Sequence, residues 1–306
     1  MMICAARRRP NNFKGMAQLF DAAYYLAANP DVAKAIEEGR MSSAWRHFVN
    51  WGFREERTGV PDEVRNQVRA VMEASLILPP VNLISRVHGT PDAAGFEQVG
   101  KTIALDIYLA VHAVLSLDKP LRILDFGCGC GRVLRSMSEI APLATIEGSD
   151  IDEQAIGWCR ETFREEVRHG RFHFTVNLDA PPIAFPTDTF DLIYVVSVFT
   201  HLPEDLQLKW LGELERIAKP GAILAMSTSG DRLIRKHLTE ENSRLLDEKG
   251  FYYFPYGSTE GLPDYYQAAW HTPSYIAKVW SKYFEILEHI PAGIAGHQDL
   301  VLCRKR

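Results

Sequence analysis

The chain has 306 residues, of which 46% are hydrophobic and 24% charged, and its formal net charge at pH 7 is -5. This composition is typical of a globular protein with one large domain and a smaller appendage. Basic residues are scattered apart from the Arg7–Arg9 run and the C-terminal Arg-Lys-Arg, so no nucleic-acid partner is expected. No apolar run approaches the roughly 20 residues of a membrane helix. The five irregularly spaced cysteines favour a reduced, cytoplasmic location.

Residues 1–16 are predicted to be a disordered tail, and residues 17–60 a small helical module. Three short helices are expected between Phe20 and Arg57, with breaks at Asn29-Pro30 and Gly39. The stretch FDAAYYLAANPDVA…HFVNWGFREER resembles a short repeat that accompanies bacterial glycosyltransferases and surface-polysaccharide proteins. It departs from that repeat at Glu56, where glycine is usual. The favoured interpretation is a helical cap that packs on the main domain.

Residues 61–118 are predicted to be a helical linker or lid, and residues 119–306 the main domain. A helical pattern runs to Leu78 and stops at Pro79-Pro80, and a second, long amphipathic helix is expected from Phe96 to Leu117. Beyond residue 119, seven short apolar runs rich in β-branched and aromatic residues alternate with helical patterns. Helices are predicted to start at Gly131, Asp152, Pro203 and Pro273. This alternation predicts an α/β fold with a parallel sheet and crossover helices on both faces.

The segment RILDFGCGCGR (residues 122–132) places glycines at 127, 129 and 131, directly after a predicted strand. Such a turn lets the backbone touch a ligand, and the helix that follows supplies free N–H groups. The dinucleotide motif GxGxxG requires a glycine at position 132, which is Arg132, so that class is excluded on spacing. Cys128 and Cys130 lack the spacing of a zinc site, and no metal is expected.

The pattern Asp125-x-Gly127-x-Gly129-x-Gly131 is similar to the first motif of class I S-adenosylmethionine-dependent methyltransferases. The later segments SDID, NLDAPPIAFPTDTFDLIYVVS and LERIAKPGAILAMST resemble further motifs of these enzymes in the same order. The resemblance covers residues 121–238 well and continues loosely to QDLVLCRK. It implies a Rossmann-like seven-stranded sheet with an antiparallel last strand, and S-adenosylmethionine as the cofactor.

The resemblance also implies roles for individual residues. The three glycines would let the backbone approach the methionine part and ribose of the cofactor, and Asp125 would orient their loop. Carboxylate oxygens of Asp150 would accept both ribose hydroxyls. The remaining predicted contacts are Ile151 against the adenine ring, Asn177 or Asp179 at the adenine amino group, and Ser197 at the end of the fourth strand.

Two histidines are candidate general bases for the transfer. His201 follows the fourth predicted strand in the segment SVFTHLPED, and a packing or capping role explains it equally well. His271 belongs to an aromatic insertion between Glu248 and Tyr275, which also contains Tyr265 and Tyr266. This insertion is predicted to cover a pocket or the N-terminal helical module. If it lines the acceptor pocket, His271 is the favoured general base. The alternative interpretation is that WHTPSY only starts a helix, with Thr272 as the N-cap and Pro273 in the first position. A second loop, SRVHGTPDAAGF, carries a further histidine and an aspartate that could reach the methyl group.

The sequence therefore predicts a methyltransferase that acts on a small molecule, with an oxygen of a sugar or other metabolite as the favoured acceptor. The segment SVFT replaces the (N/D/S)PP(Y/F) motif of base-amino methyltransferases, which argues against nucleic-acid amines. A second hypothesis is a catalytically inactive cofactor-binding protein with a regulatory or scaffold role. The sequence discriminates only weakly between the two, because intact cofactor motifs suit both.

Overall fold

The computed structural model describes residues 20–41, 43–52, 55–62, 65, 77–230, 238–254 and 262–306. The tail predicted for residues 1–16 lies outside these residues, as does most of the helical pattern predicted between Pro61 and Leu78. The described helices are α1 Ala22–Ala28, α2 Pro30–Glu37, α3 Ala44–His47, α4 Val81–His88, α5 Ala93–Val111, α6 Leu134–Ile140, α7 Glu153–Thr162, α8 Arg164–Arg168, α9 Glu204–Ile217, α10 Glu240–Lys249 and α11 Pro273–Val279.

The three N-terminal helices pack around a cluster of aromatic side chains. Asp21 caps α1 by accepting a hydrogen bond from the Tyr24 amide at 2.9 Å. Helix α3 continues into a π-helical turn at Phe48–Gly52. The module's buried rings belong to one apolar cluster that also contains α5 and a face of the main sheet; they are Phe20, Tyr25, Trp45 and Phe48. The module therefore packs on the main domain.

Glu56, where the resembled repeat usually has glycine, has a backbone φ of +53°. Left-handed backbone costs a residue with a Cβ about 1–2 kcal/mol, partly offset because glycine loses more entropy on folding. We expect Glu56→Gly to raise the free energy of unfolding by up to about 1 kcal/mol, measured by urea denaturation. Gly39→Ala is the matched control: Gly39 has a φ of +67° and open space around its Cβ position, so this variant should lose stability. A less stable Glu56→Gly protein would contradict the account.

The main domain is built on a seven-stranded sheet. Its strands are β1 Arg122–Phe126, β2 Thr145–Asp150, β3 Phe172–Val176, β4 Phe190–Val195, β5 Ala218–Thr228, β8 Glu285–Ile294 and β9 Gln298–Arg304. They lie in the order β3-β2-β1-β4-β5-β9-β8, and β9 runs antiparallel to both of its neighbours. The predicted Rossmann-like sheet with an antiparallel last strand is confirmed.

The parallel pairing brings the carboxyl ends of β1, β2 and β4 to the same edge of the sheet. Asp125 of β1 lies opposite Gly148 of β2 and Tyr194 of β4. These strands are buried along most of their length because helices cover both sides of the sheet. The loops that follow them therefore meet at one place, where ligands of open α/β sheets bind.

Several predicted boundaries differ from the structure. Helix α6 begins at Leu134 rather than Gly131, because Gly131 has a φ of +75° and cannot be helical. Helix α5 runs from Ala93 to Val111 rather than from Phe96 to Leu117. The apolar pattern misleads there because Leu117 is buried in the same cluster as Val111 although it lies beyond the helix. The aromatic insertion contains a small sheet, with strands β6 Phe251–Phe254 and β7 Ala268–His271 paired antiparallel.

Candidate active site

A cavity of about 380 Å³ opens at the carboxyl ends of β1, β2 and β4. Its walls come from the end of α4, from the loops after β1 to β4, and from the aromatic insertion. Eight of the nine predicted cofactor residues line it: Asp125, Gly127, Gly129, Asp150, Ile151, Asn177, Asp179 and Ser197. The sequence motifs thus converge on one site.

The first two motif glycines leave no room for side chains. A Cβ on Gly127 would lie 2.2 Å from Val198 Cγ2, and one on Gly129 would lie 2.6 Å from Val87 Cγ2. Both residues also have positive φ angles, +79° and +50°, which glycine adopts at little cost. The bare backbone at these positions gives a ligand close access to the loop.

Gly131 does not line the cavity, which corrects the prediction that all three glycines approach the cofactor. A Cβ there would lie 3.3 Å from Phe163 Cε2 and 3.5 Å from Cys159 Sγ. The third glycine therefore allows close packing between its loop and the end of α7. The repeated spacing of the motif could not reveal that its last member faces another direction.

Asp150 connects the two loops at the end of the sheet. Its Oδ2 accepts a hydrogen bond from the Gly129 amide at 2.7 Å, and its Oδ1 accepts one from the Asp152 amide at 2.9 Å. Burial raises the pKa of this carboxyl, and the two backbone donors oppose that shift. Each carboxylate oxygen retains a further lone pair, so Asp150 can accept additional hydrogen bonds from a ligand in the cavity.

Asp125 is buried at the end of β1, and its Oδ2 has no hydrogen-bond partner. Burial raises the pKa of Asp125 to about 8, an effect opposed mainly by the Tyr194 hydroxyl on the neighbouring strand. An unpaired buried carboxyl that lines a cavity is expensive unless a ligand supplies a donor or a positive charge. Asp125 therefore suits a cationic amino group.

Asn177 and Asp179 both line the cavity, but their side chains have different hydrogen-bond partners. Asn177 Oδ1 accepts from the Ser149 hydroxyl at 2.7 Å, and its Nδ2 donates to the Leu178 carbonyl at 2.9 Å. Its side-chain amide is thus already engaged. The Asp179 carboxylate lies beside the Tyr265 hydroxyl, and burial together with that charge raises the pKa of Tyr265.

Ser197 holds the loop after β4 in a strained conformation, with a φ of +59°. Its amide donates to Ser227 Oγ at 2.8 Å, and its carbonyl accepts from the Tyr266 hydroxyl at 2.9 Å. Gln298 Nε2 donates to the Ser197 hydroxyl at 2.8 Å. These bonds hold a backbone that is otherwise unfavourable by roughly 1–3 kcal/mol, so Ser197 shapes the cavity wall.

His201 lines the cavity and stacks on Tyr266, with ring centroids 4.3 Å apart and planes inclined by 20°. Its Nδ1 lies 2.5 Å from the Gln267 carbonyl. A carbonyl can only accept, so Nδ1 carries the proton and Nε2 presents a lone pair. Within the described residues, Nε2 has no hydrogen-bond partner. Burial lowers the pKa of His201, and the ring is neutral near pH 7.

The structure contradicts the prediction that His271 is the general base. His271 lies on β7, is 2% exposed and does not line the cavity. Its Nε2 lies 2.8 Å from Gln207 Oε1, and Gln207 Nε2 donates to the Phe199 and Leu202 carbonyls. His271 therefore links the insertion to α9. Thr272 caps α11 by accepting from the Tyr275 amide at 3.2 Å, so the helix-start interpretation of this segment is the correct one.

The burial of His271 predicts acid lability of the fold. Burial, and then the nearby His289, lower the pKa of His271 to about 3, whereas the unfolded value is about 6.5. The unfolded chain therefore takes up a proton first as the pH falls below about 6.5. The stabilisation by neutral His271 is complete above that pH and decreases toward pH 3, by at most about 1.4 kcal/mol per pH unit.

We expect urea denaturation between pH 7.5 and 5 to show this decrease in the wild type and a shallower one in His271→Gln. Replacing the exposed His169 with glutamine is the control and should leave the pH dependence unchanged. Equal slopes for the wild type and His271→Gln would show that His271 does not control the acid sensitivity.

Sequence reasoning missed several residues that complete the site. Arg86, Val87, His88 and Gly89, at the end of α4, form one wall of the cavity. From the sequence, His88 is predicted only to belong to a loop that could reach the methyl group. Gln298 comes from β9, about 100 positions after the loop it supports, and no local pattern marks it. Arg132 also lines the cavity. In the sequence analysis its only role is to exclude the dinucleotide-binding motif.

A family model described as a methyltransferase domain matches residues 102–268, which is more than half of the chain. The chain therefore belongs to the methyltransferase domain family. This membership agrees with the methyltransferase class predicted from the sequence. Among the described residues, no helix is long and apolar enough to span a bilayer.

Individual relatives match over limited parts of their length. Methyltransferase GfsG of Streptomyces halstedii is 27% identical over 106 residues, which cover 35% of this chain and 37% of that protein. A tRNA N(3)-methylcytidine methyltransferase of Schizosaccharomyces pombe is 26% identical over 135 residues, covering 43% and 54%. The chain thus spans about two fifths to a half of the length of these two relatives.

Among solved structures, magnesium protoporphyrin IX methyltransferase of Synechocystis PCC 6803, determined with bound S-adenosylhomocysteine, is 16% identical with a TM-score of 0.49. The similarity covers 86% of this chain and 98% of that chain.

Proposed function

We propose that this protein transfers a methyl group from S-adenosylmethionine to an oxygen of a small-molecule acceptor, with His201 as the general base. The observation that carries the proposal is the state of the His201 ring. Its Nδ1 is fixed on the Gln267 carbonyl at 2.5 Å, which leaves the Nε2 lone pair available in the cavity. A hydroxyl acceptor gains from such a base, whereas a neutral amine needs none.

The polar end of the cavity suits the methyl donor. Asp150 would accept the ribose hydroxyls, and Ile151 would pack on the adenine. Asn177 or Asp179 would accept from the adenine amino group. Asn177 Oδ1 already accepts one bond, from the Ser149 hydroxyl, and the Asp179 carboxylate lies beside the Tyr265 hydroxyl. The unpaired Asp125 oxygen suits the amino group of the methionine part. When bound, S-adenosylmethionine supplies an activated methyl group, and these residues hold it in place for in-line attack.

The acceptor would enter beside Tyr265, Tyr266 and Leu262, which form the wall contributed by the aromatic insertion. His201 Nε2 would take the hydroxyl proton while the oxygen forms its bond to the methyl carbon. The carbon–sulfur bond breaks at the same time, and its electron pair stays on sulfur. Aromatic walls of this kind bind sugar rings and other flat or apolar metabolites, so a sugar hydroxyl is the favoured acceptor.

The second hypothesis is a protein that binds the cofactor without transferring its methyl group. One relative methylates tRNA by its name, but the net charge of -5 does not favour a nucleic-acid surface.

The test uses S-adenosylmethionine with a radiolabelled methyl group, presented with sugars, nucleotide sugars, hydroxylated aromatics and a cell extract. We expect label to enter a hydroxylated small molecule with the wild type, and far less with His201→Gln. Label on an amine or on RNA would contradict the proposed acceptor. Tight binding of S-adenosylhomocysteine without transfer to any acceptor would favour the non-catalytic hypothesis.

A further inference from the structure

Arg132 is a cation in the cavity wall, and among the described residues no carboxylate forms an ion pair with it. Among the described residues, its one hydrogen-bond neighbour is His88, whose Nδ1 lies 3.5 Å from Arg132 Nη1, and Arg132 Nε is buried without a partner. The other arginine of the wall, Arg86, is paired with Asp152 at 2.8 Å and with Gln154 at 3.0 Å. Arg132 lines the cavity and is thus left with unused donors.

Helices α4 and α5 hold Arg132 from two sides. A Cβ on Gly100 of α5 would lie 2.4 Å from the Arg132 carbonyl oxygen and 2.9 Å from its Cγ, so the helix packs directly on this residue. His88, at the end of α4, lies on the guanidinium, and burial followed by the charge of Arg132 lowers the pKa of His88. His88 is therefore neutral near pH 7 and does not compensate the positive charge.

A buried guanidinium without an ion-pair partner is unfavourable unless a ligand supplies that partner. Burial lowers the pKa of Arg132, yet a guanidinium keeps its proton under all ordinary conditions. Its planar set of donors matches the paired oxygens of a carboxylate or phosphate. Asp125 and Tyr266, which line the same cavity, are among the groups whose charge acts on Arg132.

We propose that Arg132, with His88 beside it, binds an anionic group, a carboxylate or a phosphate, inside the cavity. This inference rests on the proposed function. The anion has two possible sources: the carboxylate in the amino-acid part of S-adenosylmethionine, or an acidic group on the acceptor. The two sources are distinguished by which ligand depends on Arg132.

The experiment measures binding of S-adenosylhomocysteine and of 5′-methylthioadenosine, which lacks the amino-acid part, by calorimetry with the full chain. The variants are Arg132→Met, Arg132→Lys and, as the matched control, Arg168→Met, whose side chain is exposed. Thermal unfolding of each variant identifies any that does not fold. If Arg132→Met does not fold, the wild type is compared with Arg132→Lys instead. This variant keeps the charge but loses the planar set of donors.

If the anion belongs to the cofactor, Arg132→Met should weaken S-adenosylhomocysteine binding by roughly tenfold to a hundredfold and leave 5′-methylthioadenosine unchanged. If it belongs to the acceptor, both affinities should stay unchanged. Phosphate or benzoate should then raise the melting temperature of the wild-type complex with S-adenosylhomocysteine, but not that of the Arg132→Met complex.

Unchanged binding of both nucleosides, together with equal responses to phosphate and benzoate in wild type and variants, would overturn the anion site while leaving the proposed function intact. A wild-type protein that binds neither nucleoside would contradict the cofactor assignment and this inference together.

Discussion

Replacing His201 with glutamine is expected to lower kcat by roughly 10²- to 10⁴-fold while S-adenosylhomocysteine binds as in the wild type. Glutamine removes the Nε2 lone pair that would take the acceptor proton. Apart from Ser197, the proposed cofactor contacts lie on other loops, so the affinity for the product should depend little on this ring. The measurements are turnover on the acceptor identified by label transfer and calorimetric affinity for S-adenosylhomocysteine.

His271→Gln is the matched control, because it changes a buried histidine of the same neighbourhood that does not line the cavity. It should lose stability and retain turnover per folded molecule. The wild-type kcat should also decrease as the pH falls through the pKa of His201, which burial holds below its usual value. Normal turnover by His201→Gln would remove His201 from the mechanism.

Replacing Asp150 with alanine is expected to weaken cofactor binding by up to about a hundredfold. Part of this loss comes from the proposed hydrogen bonds to the ribose hydroxyls. The rest follows from the structure: both Asp150 oxygens also hold backbone amides, those of Gly129 and Asp152. Without the carboxylate the glycine loop loses an anchor, so the affinity is reduced even for a ligand without ribose hydroxyls.

A double comparison separates the two contributions. Wild type and Asp150→Ala are titrated with S-adenosylhomocysteine and with its 2′-deoxy analogue, using circular dichroism to confirm folding. If Asp150 binds the ribose, the losses from the substitution and from the missing hydroxyl are not additive, because each removes the same contact. Additive losses would restrict Asp150 to positioning the loop.

The predicted site residues that the structure brings together at the cavity are encoded locally. Three of these features lie within about 30 residues of one another in the sequence. They are the strand that ends at Phe126, the glycines after it, and Asp150 at the end of the next strand. Parallel pairing then brings their ends together, whatever the rest of the chain does. The N-cap of α7 at Asp152 is equally local, because its side chain accepts from amides two and three residues away.

The parts that were wrong or missed depend on contacts between distant segments. His201 and His271 were both plausible bases, and their difference lies in their partners. The carbonyl of Gln267, 66 positions later in the sequence, orients His201. Gln207, 64 positions earlier in the sequence, contacts His271. No periodicity encodes such pairs. The resemblance of the N-terminal module to a glycan-associated repeat stays a prediction. The left-handed backbone of Glu56 is the conformation that glycine, the usual residue of the repeat at this position, favours.

The insertion of β9 between β5 and β8 has a consequence for any shortened form of the chain. The segment shared with the family ends at residue 268, before both β8 and β9. A protein cut there would expose one edge of β5 from Ile223 to Thr228, a segment that is buried in the intact chain. A long apolar edge with unpaired backbone groups pairs readily with another molecule. We expect such a fragment to aggregate, because β9 is the strand that covers this edge of β5.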